Sequence, residues 1–107
     1  MAKLEKTLNE SFDSVLYRID DAVMKSISAT LEDSCDWSTA DARCSVRVYE
    51  RYSYLGGNRV SMNVTLFQAG KGPVKVCAIT SGGSQAMLFK LNTRDEESFL
   101  ETLDRAL

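Results

Sequence analysis

Hydrophobic and polar positions alternate strictly through the middle of the chain. Ala42, Cys44, Val46 and Val48 are interleaved with Arg43, Ser45, Arg47 and Tyr49. Farther on, Val60, Met62, Val64 and Leu66 are interleaved with Arg59, Ser61, Asn63 and Thr65. A period of two gives a strand one apolar face and one polar face. Gly56-Gly57-Asn58 lies between the two runs, and these residue types accept the positive φ of a tight reversal. The pattern predicts an antiparallel hairpin whose even-numbered side chains look inward and whose odd-numbered ones look out.

On either side the period changes. Phe12, Val15, Leu16, Ile19, Val23 and Ile27 recur at helical spacing and predict a helix over 10–25, with Asn9 as its cap. Leu4 and Leu8 among lysines suggest a short edge strand before it. After it, residues 27–31 alternate like a strand. Residues 33–41 are acidic and turn-rich and read as a loop with Trp37 tucked onto the domain. Ala69-Gly70-Lys71-Gly72-Pro73 is a second turn, 74–80 a strand, Ser81-Gly82-Gly83-Ser84 a third turn and 85–91 a last strand. Thr93-x-x-Glu96 has the form of a capping box, and Phe99, Leu100, Leu103 and Leu107 supply the apolar stripe of a C-terminal helix.

These elements run β-α-β(4-5)-α. A sheet with one polar face needs its helices on the other. The expected fold class is therefore α+β, a two-layer sandwich of a curved antiparallel sheet with two helices on one face, formed by one domain over 1–107. Its order resembles the TATA-binding-protein-like and helix-grip folds. Glu50-Arg51-Tyr52-Ser53-Tyr54-Leu55-Gly56-Gly57-Asn58-Arg59-Val60 and Ala78-Ile79-Thr80-Ser81-Gly82-Gly83-Ser84-Gln85-Ala86 resemble a family of small bacterial proteins classed only as a domain of unknown function. That resemblance implies no activity, cofactor or site residue.

Composition narrows the function classes. The chain has 107 residues, 44% of them hydrophobic, and a net charge of -2. It is large enough for a core of its own, and its charge creates no global field toward nucleic acid or anionic lipid. No run approaches the roughly 20 apolar residues of a membrane helix, and residues 1–10 do not read as a signal peptide. The three cysteines, Cys35, Cys44 and Cys77, form no CxxC pair, which points to a reducing cytoplasm. The absence of histidine removes Ser-His and Cys-His catalysis.

The remaining candidates are weak as chemistry. Gly82-Gly83 and Gly56-Gly57 read as hairpin turns before phosphate nests, because strands follow them. Glu32, Asp33, Asp36 and Asp41 lack the spacing of a calcium loop. Asp20-Asp21 and Glu96-Glu97 are helical neighbours that point apart. Cys44 reads as core packing, and Cys35, in the loop, has no histidine to activate it. No catalytic, metal or cofactor-binding residue is assigned, and an enzyme is not expected.

The outer face of the sheet carries the functional expectation. Arg43, Arg47, Tyr49, Arg51, Arg59, Phe67 and Ile79 are the candidate partner-binding residues. A non-catalytic module that self-associates or binds a protein there ranks first, as a possible homo-oligomer. Single-stranded nucleic acid held by the arginines and aromatics ranks second. A small-ligand carrier with a cavity among Phe12, Ile19, Val46, Val64 and Phe99 ranks third.

Overall fold

The computed structural model describes residues 1–26, 28–52, 59–82 and 89–107, the last segment with side chains from Glu96 onward. The chain is α+β. The strands are β1 (Ala2–Leu8), β2 (Thr30–Ser38), β3 (Ala42–Tyr52), β4 (Arg59–Ala69) and β5 (Val74–Gly82); the helices are α1 (Phe12–Met24) and α2 (Phe89–Ala106). The strands form one antiparallel sheet in the order β1-β5-β4-β3-β2.

Helix α1 forms where the apolar stripe requires it. Phe12, Val15, Ile19 and Val23 are buried along one side. The cap is Ser11, not the expected Asn9: Ser11 is extended, and its Oγ accepts from Ser14 N at 3.1 Å. Glu10 stays outside the helix and pairs with Arg18 at 2.6 Å. At the other end the Asp21 carboxylate, hydrogen-bonded to Lys25 at 2.9 Å, raises the lysine pKa.

One core holds these elements together. Val60, Met62, Val64 and Leu66 of β4, Val74, Val76 and Ala78 of β5, and Phe99, Leu100 and Leu103 of α2 close around the α1 stripe. Each fully buried large side chain contributes roughly 1.5–3 kcal/mol. Helix α2 packs on β5, β1 and β4, and α1 packs on α2 and β4. Thr80 of β5 donates through Oγ1 to the Glu96 carbonyl of α2 at 3.1 Å. Lys6 of β1 reaches Asp104 of α2 at 2.7 Å.

Four expectations are corrected here. The acidic segment is mostly strand: β2 covers Thr30–Ser38, with a register shift between Leu31 and Asp33. Every residue of β2 is exposed, and Trp37 keeps 68% of its surface free. Carboxylates disfavour strands in isolation, but β3 offers β2 a complete ladder. Residues 89–91 of the expected last strand belong to α2, because a short apolar run fits both periods and tertiary packing chooses between them. The remainder of that strand, like the Gly56-Gly57 turn, lies outside the described residues. Thr93 sits inside α2 and cannot be its N-cap.

The fourth correction concerns the central hairpin. Tyr49 pairs with Met62, Arg47 with Val64 and Ser45 with Leu66. Directly paired residues share a face of the sheet, so odd positions of β3 lie beside even positions of β4. The even side of β4 faces the core as expected, whereas β3 is turned over. Six residues separate Tyr52 from Arg59, and the parity of that connection sets which side of β3 meets the core.

Two glycines are needed where they stand. Gly70 takes φ +57° in the β4–β5 turn and donates to the Asp41 carbonyl at 2.6 Å. Gly82, at φ +118°, pairs with Val60, and a Cβ there would stand 2.8 Å from the Arg59 carbonyl oxygen. Gly82→Ala is expected to destabilise the protein by about 2 kcal/mol or more, read as a lower urea midpoint. A variant as stable as the parent would show that this contact does not constrain the strand.

Candidate interaction surface

The turned strand sends its arginines under the helices. Arg43 reaches Asp13 of α1 at 3.0 Å, and its guanidinium lies 4.2 Å above the Phe12 ring. Arg47 approaches Asp20 at 3.7 Å. Arg51 donates to Ser26 and Ser98 and stacks 4.4 Å over Phe99. Half-exposed ion pairs contribute little individually; the stacked contacts contribute about 0.5–2 kcal/mol each. The arginine stems fill space that β3 has no leucine or valine to fill.

Tyr49 is the anchor of this seam. It is fully buried, and its hydroxyl donates to Asp20 Oδ1 at 3.0 Å. Burial, reinforced by the Asp20 charge, pushes its pKa well above that of a free tyrosine. Ser45, four residues earlier, is also fully buried, and among the described residues its Oγ has no hydrogen-bond partner.

The apolar side of β3 consequently faces away from the helices. Cross-strand pairing sets out three rows on that outer side. One runs Lys3, Ile79, Asn63, Val48, Asp33. The next runs Glu5, Cys77, Thr65, Val46, Cys35. The third runs Thr7, Lys75, Phe67, Cys44, Trp37. Phe67 is 42% and Ile79 37% exposed, and Cys44, Val46, Val48 and Cys77 are half-buried among their neighbours. All three cysteines lie on this side and are free thiols.

The seven candidate residues therefore divide between two faces. Arg43, Arg47, Tyr49 and Arg51 lie beneath the helices. Arg59, Phe67 and Ile79 lie on the open side, where Arg59 pairs with Glu50 at 2.8 Å and stacks over Tyr52 at 5.6 Å. The arginine-aromatic platform imagined for nucleic acid is not one surface. The carrier's cavity also disperses: Phe12, Ile19, Val64 and Phe99 pack in the core, while Val46 stands on the opposite side of the sheet. Cys44, assigned to core packing, is on the open side, and Cys35 is on a strand instead of in a loop. Sequence reasoning missed Val46, Val48, Cys44 and Trp37 as surface residues. The signal available was the match between three arginines on β3 and Asp13 and Asp20 on α1.

A family profile matches residues 1–107, the whole of the chain. The chain belongs to DUF6054, a family of unknown function. No curated protein and no solved structure matches it. Family membership thus assigns no role to the open side, and its chemistry must be argued from its residues. Among the described residues no three carboxylates or thiols converge as metal ligands, and Asp33 and Asp36 project to opposite sides of β2. No described helix is long and apolar enough to cross a membrane.

The Tyr49 environment gives a pH prediction. Its folded pKa is raised, so its contribution is complete below the ordinary tyrosine pKa of about 10 and is lost as pH rises beyond it. Urea midpoints of the parent and Tyr49→Phe, compared at pH 8 and pH 10.5, are expected to converge at the higher pH. A gap that stays constant would mean that the tyrosine hydroxyl does not sense its burial.

Proposed function

We propose that this chain is a non-catalytic module that self-associates through the outer side of its sheet, with both helices layered on the inner side. The observation that carries this reading is the inversion of β3. A strand with Ala42, Cys44, Val46 and Val48 on one side and three arginines on the other turns the apolar side outward. Phe67 and Ile79, from β4 and β5, extend that surface. Contiguous apolar surface on a small domain marks an interaction site or an aggregation hazard. The charged residues Lys3, Glu5, Lys75 and Asp33 surround it, as polar residues rim an interface, and Asn63 and Thr65 of β4 lie between Val46 and Val48 on one flank and Cys77 and Ile79 on the other.

A nucleic-acid role has less support, since the β3 arginines are already engaged by α1 and α2. Light scattering across a micromolar concentration series tests self-association. The parent is expected to be a dimer, and Phe67→Glu or Ile79→Glu is expected to weaken it by about 100-fold, because each buries an unpaired carboxylate. A parent that remains a monomer at about 100 µM, an association free energy weaker than about 5.5 kcal/mol, would overturn the proposal.

A further inference from the structure

The three rows of the open side are complementary to themselves in one orientation. Resting on the self-association reading, we propose that two copies pack sheet to sheet about a two-fold axis running along β4, so that β1 of each copy lies over β2 of the other and Lys3 meets the partner's Asp33.

The argument begins with the rows. A two-fold axis along β4 reverses each row onto itself. Ile79 then faces Val48 of the partner subunit, and Cys77 faces Val46 of the partner subunit. Phe67, on the axis, meets its own counterpart, as do Thr65 and Asn63. Lys3, at one margin, faces the carboxylate of the partner's Asp33, twice per dimer. Trp37, 68% exposed on the overhanging strand, is covered by β1 of the partner subunit. The strands of the two sheets run within about 30° of each other, the usual aligned packing.

The other face-to-face arrangement, with the axis across the strands, fails on charge. It sets Glu5 against the partner's Glu5, whereas the axis along β4 sets Glu5 against the partner's Cys35 and Lys75 against the partner's Cys44. Edge-to-edge pairing of β2 with a second β2 is also disfavoured. A two-fold axis at Ser34, the centre of the strand, places Glu32 opposite the partner's Asp36, and like charges facing across a ladder are destabilising.

The size of the face is adequate. Five strands at about 4.8 Å spacing and seven paired positions at about 3.4 Å give a footprint of ~600 Å² per copy. Two such faces bury ~1,200 Å², at the lower end of specific interfaces. Ile79, Phe67, Val46 and Val48 supply the apolar contacts around the Asn63 and Thr65 pairs on the axis, and the Lys3–Asp33 pairs determine orientation more than they add affinity.

The test is a charge exchange read by sedimentation or light scattering on the full chain. Lys3→Asp and Asp33→Lys each place like charges together and are expected to raise the dimer Kd by about tenfold. The double exchange restores opposite charges and is expected to return Kd to within about threefold of the parent. Circular dichroism melts of all three variants separate misfolding from lost association. A parent dimer that the single exchanges leave intact, or that the double exchange fails to rescue, overturns this geometry and leaves self-association standing. A monomeric parent overturns both.

Discussion

The contact between β3 and the helices organises this protein. Arg43, Arg47 and Arg51 reach up from the sheet to Asp13, Asp20, Ser26, Ser98 and the rings of Phe12 and Phe99. Tyr49 stands among them, bonded to Asp20. Arginine suits this place because its stem packs like a hydrocarbon while its head pairs or stacks at the margin of the core. The strand therefore docks on the core through its polar alternation, and its apolar alternation is displaced outward.

That single inversion has consequences on both sides of the sheet. Inside, the helices concentrate over β1, β5 and β4, where valine, leucine and methionine make a continuous core. They leave β2 to project with all of its residues exposed. Outside, Cys44, Val46 and Val48 of β3, Phe67 of β4, and Cys77 and Ile79 of β5 share one side of the sheet, with Asn63 and Thr65 among them. Burial of that side would contribute at the scale of ordinary protein association, on the order of 25 cal/mol per Å² before the costs of ordering. The acidic residues of β2 discourage that edge from pairing with a second β2.

Much of the architecture was legible in the residues. The α1 stripe, the alternation of β4, the edge strand β1 and the Gly70 turn each follow from local rules that the structure obeys. The misreadings share a cause. Residues 33–38 look like a loop because two acids and two serines outweigh weak strand signals, and only the ladder offered by β3 makes them a strand. Residues 89–91 look like a strand because a short apolar run does not declare its period. Ser11 replaced Asn9 as a cap because two capping residues so close together differ in sequence by nothing that fixes the helix start. In the candidate site, Phe67 and Ile79 were legible as an apolar patch and Arg59 as an outer residue, whereas Arg43, Arg47, Tyr49 and Arg51 were assigned to the wrong side.

The sequence by itself determined that β3 and β4 each have two unlike faces, since that follows from a period of two. It determined the apolar stripe of α1 and the absence of histidine from any chemistry the chain performs. Which face of β3 turns inward was decided only by tertiary structure. In an antiparallel pair that choice depends on the parity of the six residues joining the strands and on whether the helices offer partners to arginine or to valine. Asp13, Asp20, Phe12 and Phe99 offer them to arginine, and the apolar face of β3 is turned to the outer side of the sheet.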